Sequence, residues 1–426
     1  MRFGMRSVAQ PVALVRVFTI GLSVLLVAAC SGSSSQSTSP IKIGVEGPMT
    51  GAFASTGQAL WQGAQVAARE INDGGGILGR KIQLDQIDDV NDPADAVPGL
   101  RKAITVDGIS FLDGPSSTVR PATQPILDQY KIPFMFQGGT QTFDNNTDPY
   151  AWRPSPSDSQ LGVAMAAYAI KKGYKTAALV FSAGPSQSLK QVVSDAYKKN
   201  GGTVVTDVVI ALAQSSYRSE VQKVVNSHPA VILTQFDDTA AVPLFTDFAQ
   251  QDNLAIPFIG SDQSAGAPVI KAITPAVANK ALMSIQASTN SGPALDTYTQ
   301  YYNLVYPGTQ ANTSANFSYD AILELAIAIQ DAGTTDPAKV LAAITAVCNP
   351  PGTDVTNYKD AIAALKAGTK IHFVGAGGPA GYDQFHNSVG AFAAYQANAS
   401  TGDETAIDQI SVSDMAAAAN GSLTFP

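Results

Sequence analysis

Two cysteines and three histidines in 426 residues leave little material for several kinds of chemistry. Cys30 falls in an N-terminal leader, so Cys348 is the one thiol of the body. That excludes an intramolecular disulfide and a cysteine-built metal site. His228, His372 and His386 show no metal-ligand spacing and read as surface or packing residues. Neither G-x-S-x-G nor H-E-x-x-H occurs. Residues 74–81 (GGGILGRK) nearly mimic a phosphate loop, but Arg80 stands where the lysine belongs and no Ser or Thr follows. Residues 375–381 (GAGGPAG) partly fit a dinucleotide fingerprint, yet Pro379 suits the required helix poorly. Both are turns, and no catalytic residue, metal or cofactor is expected.

Charge is also sparse, at 14% of residues, and acidic in balance, with a net charge of −8. The leader holds three arginines and no acid, so the remaining 23 basic and 34 acidic residues carry −11. Such an excess argues against nucleic acid or an anionic membrane as partner. At 45% hydrophobic the chain suits a folded protein, and its length suits two domains rather than one core.

Arg2, Arg6 and Arg16 precede an apolar run at 17–29, too short for a comfortable membrane span, that ends Val27-Ala28-Ala29-Cys30. A basic start, a short apolar middle and small residues before the cut make a signal peptide of 1–29. A cysteine directly after Val-Ala-Ala resembles the bacterial lipobox, which implies acylation of Cys30. Residues 30–40 then hold that cysteine and a flexible polar tether. The expectation is an exported lipoprotein, on the outer face of the cytoplasmic membrane or in the periplasm, held to the membrane by lipid alone.

The body is organised around residues 108–142. A buried strand (109–112), a small-residue loop, a helix and a second buried strand (132–136) make a βαβ unit, hence a parallel sheet. Gly114, Ser116, Ser117 and Thr118 follow the first strand; Gly138, Gly139 and Thr140 follow the second. Glycine permits close approach of a ligand to backbone, while hydroxyls and free helix amides suit a small carboxylate. Ser and Gly are equally the ordinary residues of turns and caps. Two matching loops on neighbouring strands favour a site. Strand and helix patterns alternate from Ile41 to the helices at 317–332 and 337–347, and the tail after Tyr395 is unassigned.

The succession IKIGVEGPMTG, GAQVAAREINDGGGILGRKIQL and DDVNDPADAV resembles the type I periplasmic binding proteins of branched-chain amino acid ABC transporters, the leucine/isoleucine/valine-binding group. The resemblance implies an α/β fold of two Rossmann-like lobes joined by three crossing segments, with a ligand in the interlobe cleft. It places residues 41–154 and 287–388 in the N-terminal lobe, and 155–286 and 389–426 in the C-terminal lobe. It implies a small amino acid as ligand, a permease and an ATPase as partners, and delivery to the permease after lobe closure. Motif by motif, Ser116 and Ser117 take the carboxylate-binding positions. Gly138 offers its carbonyl and Thr140 its hydroxyl to the ammonium. Asp262, after Phe258-Ile259-Gly260, takes the ammonium-binding acid; as a residue type it is equally a helix cap.

Three departures accompany these. Where the family often has aromatic residues around the ligand, this chain has Thr56, Ser186 and Asp237, so a wider or more polar cleft is expected. Phe53, Trp61 and Tyr217 either supply aromatic surface there instead or are core packing, the commoner use of such residues. Asn91 stands where the family's small disulfide would place a cysteine. An aromatic carboxylate or a small amide such as urea is the alternative ligand, and presentation of ligand to a membrane receptor the alternative role.

Overall fold

Parallel strands in this chain are short and nearly all apolar, as burial on both faces requires. In the computed structural model, β1 (Ile41–Gly47) is buried along almost its whole length. It pairs in parallel with β2 (Ile82–Asp88) on one side and β3 (Phe111–Asp113) on the other, with Ile43 opposite both Leu84 and Phe111. β4 (Phe134–Met135) and β5 (Ala151–Trp152) complete the first sheet, in the order β2-β1-β3-β4-β5. The structure describes residues 39–419 except 185, 238, 253, 266–268, 271–280, 289–291, 310, 313–314, 380, 399 and 401–402. The leader, Cys30 and nearly all of the tether lie outside the described residues.

The second sheet is larger. Parallel strands β6 (Thr176–Ser182), β7 (Thr203–Ile210), β8 (Val231–Gln235), β9 (Phe258–Ser261) and β10 (Leu282–Ala287) form its main part. Further strands are β11 (Thr353–Val355), β12 (Ile371–Gly375) and β13 (Gly378–Pro379), which make a small separate sheet, then β14 (Phe392–Asn398) and β15 (Asp403–Ile410). The second sheet runs β15-β14-β10-β9-β8-β6-β7, with β14 antiparallel to β10 and β15 antiparallel to β14. The tail that the sequence left unassigned is thus an antiparallel hairpin on the sheet edge, followed by a helix, Val412–Ala419. Met415 and Ala419 of that helix are buried in the cluster of Val163, Ala166 and Leu179.

Three helices flank the first sheet: α1 (Ala54–Asp73), α2 (Pro93–Lys102) and α3 (Arg120–Tyr130). Asp92 caps α2 by accepting from the Ala94 amide, and Pro93 takes the first helical position. The second sheet has α4 (Asp158–Lys171), α5 (Ser186–Lys199), α6 (Arg218–Asn226) and α7 (Ala241–Gln251). Helices α8 (Pro293–Val305), α9 (Asn316–Ala332), α10 (Pro337–Cys348) and α11 (Tyr358–Lys366) return to the first sheet. Residues 318–329 of α9 are all buried. A helix apolar on every side belongs in a core. It packs on α1 so closely that a Cβ at Gly63 would sit 2.0 Å from the Ala315 carbonyl oxygen.

The chain therefore passes three times between two α/β lobes. Passages one and three lie side by side: Arg153 N–H donates to His386 O (2.8 Å), and Ser388 N–H to Arg153 O (2.9 Å). Trp152 stacks on His386 with ring centroids 4.0 Å apart. Ser288, on the second passage, donates its N–H to Ala391 O (2.8 Å).

Candidate ligand-binding site

Both sheets have a point where neighbouring strands send their connections in opposite directions. In the first this lies between β1 and β3, and in the second between β6 and β8. Loops that diverge at the carboxyl ends of parallel strands leave a crevice there. Thr56 and Ser116 belong to the connections after β1 and β3, and Ser186 and Asp237 to those after β6 and β8. Gly138 and Thr140 follow β4, and Asp262 follows β9. All the sequence candidates thus sit at strand carboxyl ends.

Ser116, Ser117, Gly138 and Thr140 come together. Ser117 Oγ accepts from the Thr140 amide at 3.2 Å, and a Cβ at Gly138 would lie 2.5 Å from that same oxygen. Only a residue without a side chain fits there. Ser116 Oγ donates to Asn91 Oδ1 at 3.2 Å, so the asparagine that replaces a cysteine supports a site hydroxyl. Ser116 and Ser117 are half-buried just before α3, whose first-turn amides are taken up locally, Arg120 N–H by Ser116 O and those of Ala122 and Thr123 by Val119 O.

Two residues that the motif matching passed over complete this cluster. Arg153, 1% exposed, donates Nη1 to the carbonyls of Gly138 (3.3 Å), Gly139 (3.4 Å) and Thr140 (3.3 Å). It also donates Nε to Asn387 Oδ1 at 2.8 Å and pairs with Asp144. One guanidinium therefore ties the Gly138–Thr140 loop to the first and third passages. The Gly138 carbonyl, already accepting from Arg153, keeps a second lone pair for another donor.

Asp158 is the other. It opens α4 after the Ser157 cap, and its amide donates to Gly139 O at 2.7 Å. A Cβ at Gly139 would lie 2.1 Å from Asp158 Oδ1, so this glycine lets the carboxyl rest directly on the loop. Burial, then repulsion from Asp262, pushes the Asp158 carboxyl up to about 7, against the pull of Arg153. Asp262 and Asp158 thus feel one another and mark one acidic spot. The Asp262 side chain is open to solvent, yet protein crowded around it desolvates it enough to raise its pKa. Neither carboxyl has a hydrogen-bonded side-chain partner or ion-pair partner among the described residues. Glu404, which also repels Asp262, differs: it is raised to about 7 by burial but accepts from Ser284 Oγ and Gln286 Nε2.

The remaining candidates divide. Ser186 is buried and accepts from Gln235 Nε2 at 3.1 Å. Asp237 is buried too, and its Oδ1 takes the amides of Thr239 (2.8 Å) and Ala240 (3.1 Å) and the Thr239 hydroxyl. That is the role of a cap ahead of α7. Thr56 is exposed in the first turn of α1, and no side-chain hydrogen bond ties it to the other candidates. Of the aromatic residues, Tyr217 is fully buried and donates to Ala211 O at 2.8 Å, so it is core.

The sequence model of the periplasmic binding proteins matches residues 40–348. The chain belongs to that family. An amino acid binding protein of Pseudomonas aeruginosa is 27% identical over 332 residues, 76% of this chain and 87% of that one. Among solved structures, a leucine binding protein from Thermotoga maritima superposes with a TM-score of 0.74 at 20% identity, over 88% of this chain and 99% of the other. A Rhodopseudomonas palustris solute binding protein in complex with benzoate gives 0.72 at 21% identity, over 87% and 96%. These likenesses establish the two-lobed type I periplasmic binding protein fold.

Within this periplasmic binding protein, Asp158 and Arg153 carried a sequence signal that was passed over. Both stand in the run Trp152-Arg153-Pro154-Ser155-Pro156-Ser157-Asp158, which reads as a crossing segment but is also a capped helix start.

Proposed function

We propose that this chain is a lipid-anchored, extracytoplasmic substrate-binding protein of an ABC importer, which captures a small amino acid and delivers it to a permease. What supports this reading best is the pair of carboxyls without side-chain or ion-pair partners among the described residues, Asp158 and Asp262, beside a loop of hydroxyls, backbone amides and a glycine carbonyl. An α-amino acid has the complementary charges. Its carboxylate takes the hydroxyls of Ser116 and Ser117. Its ammonium takes Asp262, Asp158, the Gly138 carbonyl and the Thr140 hydroxyl. Thr56, Ser186 and Asp237 lie toward the side chain, which makes the cleft more polar than one built for leucine. Asp262 lies after a second-sheet strand and Ser116 after a first-sheet strand, so a ligand gripping both favours the closed arrangement. The lobes are taken as 41–154 with 287–388, and 155–286 with 389–426, and the anchor is Cys30.

Benzoate in the Rhodopseudomonas palustris neighbour favours a second reading, an aromatic carboxylate. Two acids with no ion-pair partner among the described residues oppose it, because such a ligand brings no ammonium. Thermal-shift screening of the twenty amino acids, aromatic acids and small amides, followed by calorimetry, tests the choice. Binding of at least one small amino acid is expected; aromatic acids binding while every amino acid fails would sink it.

A further inference from the structure

Beside β4 and β5 lies a pocket of about 380 Å³ lined by Arg120, Asp128, Phe143, Asn146, Asp148 and Tyr150, among others, and by none of the cleft candidates. Arg120 is 1% exposed, and its guanidinium packs on the rings of Phe136 (4.0 Å) and Phe143 (4.1 Å). Nε donates to Gln124 Oε1 at 3.1 Å and Nη2 to Asn146 Oδ1 at 2.8 Å, while Nη1 has no partner. Asp148, 9% exposed, holds the Tyr150 amide on Oδ1 at 2.8 Å, and its Oδ2 has no partner either. The two charges sense one another without forming an ion pair. Burial lowers Arg120 to about 10, which still leaves it a cation at neutral pH. Asp128, also at the pocket, is raised by desolvation, then by the charge of Asp148 and by a hydrogen bond with that carboxyl, against the pull of Arg120.

A buried donor and a buried acceptor left unmade are each costly. We propose that this pocket is a second small-molecule site, which takes a small zwitterion such as an α-amino acid between Arg120 and Asp148. The zwitterion's carboxylate accepts from Arg120 Nη1, and its ammonium donates to Asp148 Oδ2 and eases the repulsion between Asp148 and Asp128. A simple anion meets two carboxyls there, and a simple cation meets the guanidinium, so neither matches the pocket as well. The site stands independently of the cleft reading.

Alanine titrated into ¹⁵N-labelled protein, followed at the Arg120 Nε–Hε and the Asn146 and Tyr150 amide resonances, tests it. A saturable shift is expected in the wild type and in Asp262→Ala, which alters only the cleft. Asp148→Asn should weaken it roughly tenfold or more, equivalent to about 1.4 kcal/mol. Should Asp148→Asn fail to fold, Asp128→Asn, at an exposed position, carries the test with a several-fold weakening. No saturable shift, or an equal one in both pocket variants, would mean that the pocket holds only water and would overturn the proposal. Loss of the shift in Asp262→Ala would also overturn it, because the signal would then come from the cleft. Failure of the cleft reading alone shows as silence at Gly138 and Thr140 with the pocket resonances still moving.

Discussion

The buried acids behind the first sheet and the acids of the cleft look alike by ionisation and differ in their partners. Burial pushes Asp113 and Asp320 up to about 7 and Glu324 to about 8, much as it pushes Asp158 to about 7. Asp113, Asp320, Glu324 and Glu70 each accept hydrogen bonds, whereas Glu46, buried in β1, has a partner for neither oxygen. Asp320 takes the amides of Ala376 (2.8 Å) and Gly377 (2.6 Å). Glu324 accepts from the Tyr382 hydroxyl, and Asp113 from Ser318 and from Gln137 (3.1 Å). Glu70 takes the Tyr358 amide at 2.7 Å and the Tyr319 hydroxyl. These groups hold α1, α9 and the loop after β12 in place. Asp158 and Asp262 have no side-chain or ion-pair partner among the described residues, and Asp262 engages only the backbone at the start of its own turn. A raised pKa by itself marks burial, as at Glu46; it points to a binding place only where the acid also stands at the loops that end the strands, as Asp158 and Asp262 do.

Substitution should separate the two sets. Asp262→Ala is expected to weaken amino acid binding by roughly 2–5 kcal/mol, the usual cost of removing one member of a desolvated charge pair. Its melting temperature should barely move. Calorimetry and thermal denaturation of one preparation check both halves, and an unchanged affinity would return Asp262 to a capping role. Asp320→Ala should do the reverse, losing roughly 1–3 kcal/mol of stability through the stranded amides of Ala376 and Gly377. Denaturant unfolding measures that loss, while affinity stays as it was.

Acidity should divide function from stability. An ammonium needs ionised acids, so affinity should fall as pH drops through about 7, where Asp158 takes up its proton. The folded-state pKa values of Asp113, Asp320 and Glu324 exceed their unfolded values, so unfolding releases protons. Their contribution to stability is complete below pH 4 and declines as pH rises through about 7 to 8. Unfolding midpoints of the ligand-free protein from pH 5 to 8 should therefore slope opposite to affinity. The smallest effect is expected from Gly139→Ala, whose Cβ displaces the Asp158 carboxyl from 2.1 Å. A several-fold weaker affinity with little change in stability is the outcome to look for by calorimetry.

Much of this was legible in the chain. The strand at 41–45, the unit at 108–142 and the helices at 317–332 and 337–347 recur within a few residues in the structure. Their periods are set by local burial, which composition records. Shifts occur where packing overrides pattern: the helix expected to reach Thr105 is regular only to Lys102 and then widens into a broader turn, Ala103–Asp107. The hairpin of β14 and β15 was not legible, because a strand on a sheet edge depends on its neighbour more than on its own residues.

For the site, the types and spacing of Ser116, Ser117, Gly138, Thr140 and Asp262 were enough to nominate them, since small and polar residues after buried strands have few other uses. Spacing alone could not say which acids stand unpaired. Asp237 and Asp262 read alike as acids after a strand. Folding gives Asp237 the amides of Thr239 and Ala240 and the Thr239 hydroxyl, and leaves Asp262 with only the backbone of its own turn, near enough to Asp158 to repel it. Residues far apart along the chain supply or withhold those partners, as Arg153 and Asn387 do at the passages. Local sequence therefore fixed the elements and the chemistry of the loops. Partnership between distant residues, which only the packed chain brings about, decided which of those groups stay available.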